Sequence, residues 1–417
     1  MTAANVARPI LKLLPIWIFI FLFKFGAGLH YTLMSPLGAR VLPIWVMGLL
    51  IGGSAFIQLI LDVPAGFIMD RYGYRKFLKI TSVIFILAAA AMLFGLSTPV
   101  IIATLMLSAF GWLFFGPGVD AYLLSHTQSE YAGRVMSVRD TLSSLGIVLA
   151  TAALGFVLGL PMSVMAVIVM VLIAVAFLAV MFAPKDKVSA VAEKKHPAHH
   201  YYVRRHFIHH TFAVLKKMNP ASGMLLILGF SASIFYATIW FVVPLLLDSA
   251  NGGSPIPSVG LAIFDFAVVA LGFILGRLAD KFNQRLLVFS GLLIFAIAGS
   301  AIGFSTSIWF LLLGFIATVG DELAGLTLWA WLDRLDKKHT EDGLLSGIIT
   351  FFCDLGWTIG PISAGFLFNV IGPQWTMAVG AIPVIITWVV AAIMVRPHPR
   401  VVGETVTPKP HRRRYKG

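Results

Sequence analysis

The chain is poor in charge, in cysteine and in deeply placed amide side chains. Only 12% of its 417 residues are Asp, Glu, Lys or Arg, against 59% hydrophobic residues and a mean hydropathy of +0.92. That balance lies far outside the range of soluble domains. The single cysteine, Cys353, excludes a disulfide framework and a cysteine-based metal site. No Asn-x-Ser/Thr acceptor occurs, as is compatible with a prokaryotic inner membrane. No Gly-rich loop ends in Gly-Lys-Ser/Thr, so any uphill work must draw on an existing gradient rather than on ATP. No catalytic constellation is visible, and neither an enzyme activity, a metal nor a cofactor is expected. No cleavable signal peptide is expected either, because the first residues lead straight into a full-length apolar run.

What the chain has instead is apolar length. Crossing a bilayer takes ~20 apolar residues, and twelve such stretches are predicted: 10–33, 44–68, 76–97, 99–122, 135–160, 162–183, 220–247, 256–279, 284–304, 306–331, 344–370 and 374–395. They divide six and six around a polar insert. The expected domains are 1–183 and 220–395, two six-helix bundles, with a basic His-rich linker at 184–219 and a basic tail at 396–417. All but two of the 31 Lys and Arg fall at the termini or in the even-to-odd connections; the exceptions are Lys24 and Arg40. Excess Lys and Arg mark cytoplasmic loops, so both termini are expected in the cytoplasm. The net charge of +13 is then a skin beside anionic lipid, not a nucleic-acid-binding face.

The chain also repeats itself. Gly66-Phe-Ile-Met-Asp70-Arg71-Tyr-Gly73-Tyr-Arg75 recurs 210 residues later as Gly276-Arg-Leu-Ala-Asp280-Lys281-Phe-Asn-Gln-Arg285. The same offset carries Gly133 onto Gly343, Gly146 onto Gly356 and Gly155-Phe156 onto Gly365-Phe366. A duplicated apolar chain is the mark of a secondary transporter built from two related halves with a site between them.

The run Gly66-x-x-x-Asp70-Arg71-x-Gly73-x-Arg75-Lys76 resembles the loop 2–3 signature, motif A, of the major facilitator superfamily, and its looser copy at Gly276 to Arg285 fits that family too. The resemblance covers the whole chain. It implies an all-α membrane fold of twelve helices, in two pseudo-symmetric bundles that rock about a central cavity. Proton-driven drug exporters of the superfamily carry a Gly-Pro run in helix 5. Here helix 5 lacks the Gly-Pro step, which stands instead in helix 11 as Gly360-Pro361.

Physically, Gly66 would let helix backbones approach closely. Asp70 with Arg71, Arg75 and Lys76 forms a surface charge cluster suited to latching the halves, with Gly276, Asp280 and Arg285 as its copy. Asp62, two turns before Asp70 on the same face, would join it. Plain positive-inside anchoring is the other reading of Arg75 and Lys76. In many relatives an acid ending helix 4 completes the latch; here that stretch reads Ser125-His126, leaving Asp120 or Glu130 as substitutes.

Charges inside the spans point to function, since each costs ~2.5–3.5 kcal/mol to insert. They are Lys24, Asp62, Asp265, Asp321, Glu322 and Asp354, all on helices 1, 2, 8, 10 and 11. Helices 3, 6, 9 and 12 have none, as suits an outer, lipid-facing position. Asp321 and Glu322 point ~100° apart, so only one should face the cavity. Proton coupling is expected from Asp321, Glu322, Asp354 or Asp265, the alternative being structural pairing with Lys24. Lys24 could also bind an anionic substrate, but pairing with the acids is favoured.

Sugars need several oriented amides, and Gln58 is the only deep one. Tyr31, Tyr236 and Trp357 suit an amphipathic cargo, cations among them. Trp240, Trp329 and Trp331 are assigned to the interfacial belt. In the insert, residues 199–218 suit a helix lying on the inner leaflet, and its six His are read as a solvated surface tract rather than a metal site.

The reading is a monomeric secondary transporter of the inner membrane with small-molecule cargo and lipid as partners, driven by the proton gradient and exporting small amphipathic compounds. The rivals are a proton-coupled uptake symporter for an organic ion or nutrient, and a non-pumping lipid flippase or receptor on the same fold.

Overall fold

The structure is a computed structural model that describes residues 13–127, 132–186, 218–251, 256–305, 307–336 and 342–395. The expected linker helix at 199–218 and the tail at 396–417 fall almost wholly outside these residues. Of Asp265, Gly276 and Asp280 the helix is described but not the side chain.

Twelve α-helices carry the described chain: α1 (Leu14–Ala39), α2 (Ile44–Tyr72), α3 (Tyr74–Ala91), α4 (Thr98–His126), α5 (Ala132–Leu158), α6 (Met162–Met181), α7 (Pro220–Asn251), α8 (Ile256–Lys281), α9 (Gln284–Ile302), α10 (Ser307–Asp336), α11 (Asp342–Gly380) and α12 (Ile382–Met394). Ten apolar segments are long enough to cross a membrane. One of them, Ile348–Met394, runs 47 residues and breaks at Gly372, so it supplies two crossings; α8 adds a shorter apolar stretch, Leu261–Gly272. This is an integral, multi-pass, all-α membrane fold.

The punctuation has simple causes. Proline opens α1, α4 and α12, where its missing N–H costs nothing. Gly73 at φ 92° ends α2 and lets the chain turn into α3, and Gly372 at φ 78° divides the eleventh crossing from the twelfth. The twelfth crossing was expected unbroken over 374–395. It is interrupted at Ala381, because Pro383 has no N–H to carry the hydrogen-bond ladder across that turn. The first crossing also differs, running 14–39 rather than 10–33.

Packing repeats with the sequence. In the first half α1 packs on α5 and α6, α4 on α2 and α3, and α3 on α6; adding six to every number gives the principal contacts of the second half. The halves meet through α2 with α11 and α5 with α8, a pair of contacts exchanged by the same shift, and through α1 with α7. The duplicated glycines explain part of this. A Cβ on Gly146 would lie 2.7 Å from the Phe21 carbonyl of α1, and one on Gly356 would lie 3.1 Å from the Phe230 carbonyl of α7. Each glycine is the point where the fifth helix of its half meets the first.

The principal contacts of α3, α6, α9 and α12 all stay within their own half. On α6, Val167, Val171 and Leu178 are half exposed, and Ile386 and Ile393 on α12 still more so. These four helices form the apolar outer surface, as their lack of interior charge implied.

Candidate functional site

A cavity of about 520 Å³ lies between the halves. Its walls come from α1 (Lys24, Tyr31), α2 (Gln58, Asp62), α4 (Trp112), α5 (Ser143), α7 (Tyr236, Trp240), α10 (Glu322) and α11 (Asp354, Trp357). The structure thus gathers eight sequence-predicted residues from five helices around one space. Asp321 is not among the lining residues, while its neighbour Glu322 is, as the 100° step between them allows. The Asp265 side chain lies outside the described residues.

Two features of the walls matter chemically. On one side the Lys24 ammonium stands 4.6 Å from the Trp112 ring centre and 5.2 Å from that of Phe115. On the other, Tyr236 meets Trp357 edge-on at 5.7 Å and Trp240 at 6.2 Å, making an aromatic corner beside Asp354. The cavity carboxylates come from both halves, Asp62 from α2 and Glu322 and Asp354 from α10 and α11. Gln58, in the wall, donates weakly to the Ser54 carbonyl at 3.4 Å.

Several sequence readings need correction. Asp62 was expected in the latch, but it lines the cavity. Trp240 lines the cavity and Trp331 is only 7% exposed, so these two do not face lipid as belt residues would, while partly exposed Trp329 packs over Gly229. Lys24 was expected to pair with the cavity acids, yet among the described residues its ammonium has no carboxylate within 4.0 Å. Asp120 does not reach motif A; it pairs with Arg139 of α5 at 2.9 Å. Trp112 and Ser143 were missed, because an aromatic or a serine in an apolar run gives no sign of which wall it faces.

Motif A is also built differently from the expectation. A Cβ on Gly66 would meet no atom within 4 Å, so this glycine makes no close helix contact here. The Tyr74 hydroxyl donates to Asp70 at 2.5 Å, and Arg71 lies over its neighbour Tyr72. Arg75 does not reach the other half. Its guanidinium donates to the Val180 and Met181 carbonyls at the end of α6. Its copy Arg285 donates to the Ala392 carbonyl at the end of α12, at 2.8 Å. Both arginines therefore cap the last helix of their own half, where a cation suits the unsatisfied carbonyls.

Asp186, which the sequence gave no reason to single out, completes the cluster. Its carboxylate accepts the Arg75 backbone N–H at 3.2 Å and lies against Gly73, where a Cβ would be only 2.6 Å away. Burial pushes its carboxyl above the usual carboxylate range, opposed by that hydrogen bond and by nearby cations. Beside it, Tyr122 donates to the Pro184 carbonyl at 2.8 Å.

The ends of the cavity differ. One face of the bundle carries the α1–α2 and α7–α8 connections, and there the halves are fastened. Arg40 pairs with Asp248 at 2.9 Å, and Ser35 donates to the Phe241 carbonyl at 3.1 Å. Trp45 stacks on Phe366, and a Cβ on Gly48 would lie 2.3 Å from the Pro361 carbonyl. On the face that carries the chain ends, no hydrogen bond joins the halves among the described residues, and Gly66 and Gly272 look onto open space.

Comparison with known proteins agrees with this arrangement. The family model described as Major Facilitator Superfamily matches residues 16–340 and 225–415. The chain is 24% identical over 360 residues to multidrug resistance protein 2 of Bacillus subtilis (strain 168), covering 84% of this chain and 87% of that one. A solved bacterial homologue of the human lysosomal transporter Spinster, in an inward-facing and unoccupied conformation, superposes with a TM-score of 0.72 at 12% identity, over 94% of this chain and 99% of its own. A point mutant of the nucleoside transporter NupG gives 0.71 at 11% identity, over 93% and 99%. At those identities the two structures speak for the fold alone.

Proposed function

The chain belongs to the major facilitator superfamily, and we propose that it is a secondary transporter that exports small amphipathic compounds in exchange for protons. The observation that carries the reading is the cavity shared by both halves, with carboxylates and an aromatic corner in its walls and a fastened end at Arg40. The similarity to a protein named for multidrug resistance supports export over uptake.

The excess of Lys and Arg toward the chain ends supports a cytoplasmic setting for that face, and on this reading the cavity loads from inside. Asp62 from one half, with Asp354 and with Glu322 from the other, sets two pairs of like charges in one cavity. While both members of a pair are ionised they resist closure on that side. A cationic group of a cargo, or a proton, removes the repulsion and lets the halves close there and part at Arg40. Cargo and proton compete for the same carboxylates, and that competition is the physical basis of exchange.

The test is proton movement in everted vesicles, followed with a pH-sensitive dye while lipophilic amphiphiles are added. Cargo-triggered proton release is expected, lost in Glu322→Gln and in Asp354→Asn and kept in Asp321→Asn. No proton response from folded protein, or a response that survives both cavity substitutions, overturns the reading.

A further inference from the structure

Among the described residues, Lys24 is a cation with no carboxylate partner in a cavity otherwise rich in acids. Its ammonium rests on the Trp112 and Phe115 rings, and no carboxylate among the described residues lies within 4.0 Å of it. Asp120 and Asp140 are both taken by Arg139, at 2.9 and 2.7 Å. On the same wall the buried Ser143 hydroxyl has no hydrogen-bond partner among the described residues. Among the described residues, an ammonium without a carboxylate and a buried hydroxyl without a hydrogen bond thus stand on one wall, where an anionic group entering the cavity would meet both.

The facing wall has the opposite character. Glu322 and Asp354 stand there with Trp357 and Tyr236, and Asp62 of α2, in the same half as Lys24, adds a third carboxylate to the cavity. A purely cationic cargo would meet repulsion at Lys24, and a purely anionic one would meet it at the three acids. A molecule with both charges satisfies both walls, and about 520 Å³ is within the range of sites for drug-sized ligands.

We propose that the cavity selects amphipathic zwitterions. An anionic group such as a carboxylate docks on Lys24, with Ser143 donating to it. The cationic end meets Glu322 and Asp354, and the apolar body lies along Trp357 and Tyr236. This deepens the transport reading by naming its substrate class, and rests on it only for passage across the membrane.

A matched pair of dyes separates the charges. Rhodamine B is a zwitterion at neutral pH, and its ethyl ester has the same ring system with the carboxylate blocked, leaving a cation. Fluorescence anisotropy of each dye with purified protein gives the two affinities without any gradient. Rhodamine B should bind at least tenfold more tightly than the ester. Lys24→Arg should keep that preference and Lys24→Met should level it. Equal or tighter binding of the ester to the unaltered protein, a preference that survives Lys24→Met, or no binding of either dye to monodisperse protein overturns the proposal. Selective binding without proton exchange in vesicles would sink the export reading and leave this assignment standing; proton exchange with an ester preference would do the reverse.

Discussion

Arg40 is a basic residue on the face where positive charge is scarce, and Asp248 across the halves is the reason it is there. The pair is partly exposed, so its contribution to stability is small, of the order of 0–1 kcal/mol. Its neighbour Gly48 matters more to the seal, because a side chain there would strike the backbone of α11. Gly48→Val should therefore part the halves on this side. A cysteine at buried Ser35, in a Cys353→Ala background, should then react several-fold faster with a membrane-impermeant maleimide added to right-side-out vesicles. Unchanged labelling would show that the glycine contact does not hold the seal. Residues of the site differed in how far the sequence disclosed them. Glu322 and Asp354 were legible because a charge in an apolar run stands out by its cost. Trp112, Trp240 and Ser143 were not, since hydropathy does not say which wall a side chain faces. Asp186 was hidden because its partner, Arg75, is 111 residues away in sequence.

The duplicated elements do the same work twice. Gly146 and Gly356 let α5 and α11 approach α1 and α7, and Arg75 and Arg285 hold the ends of α6 and α12. Replacing either arginine with Gln removes a charged hydrogen bond to helix-end carbonyls, worth ~1.5–3 kcal/mol. Both variants should melt earlier in detergent, Arg75→Gln by more, because Arg75 serves two carbonyls and its copy is seen to serve one. Equal melting to the unaltered protein would contradict the capping role. Asp186 offers a sharper comparison. Burial already disfavours its charge, so Asp186→Asn, which keeps an acceptor for the Arg75 N–H, should cost little. Asp186→Ala leaves that N–H unmet and should cost ~1 kcal/mol. A larger loss for Asn than for Ala, read by thermal unfolding, would mean that the charge itself is needed. Helix existence was legible from apolar run length at nearly every crossing. The break at Ala381 was not, because a proline early in a helix and one in its interior look alike until the helix start is known.

The whole molecule is two copies of one packing scheme fastened at one end. The repeat of motif A disclosed the copies, and the basic loops disclosed which face they share with the chain ends. Which end is closed was not disclosed: the same residues must serve both states of a rocking fold, and spacing does not record which one is populated. Motif A shows the consequence. Its glycine and charges were read as a latch between halves, yet with the opposite face closed their contacts among the described residues stay in their own half. Alternating access requires the Arg40 face to open in every cycle. The most direct test places cysteines at Arg40 and Asp248 in a Cys353→Ala background and bridges them with a short bis-maleimide. Cargo-driven proton exchange in vesicles should stop when the bridge forms and persist when a monofunctional maleimide modifies the same sites. Exchange that continues at full rate with the bridge in place would contradict the account.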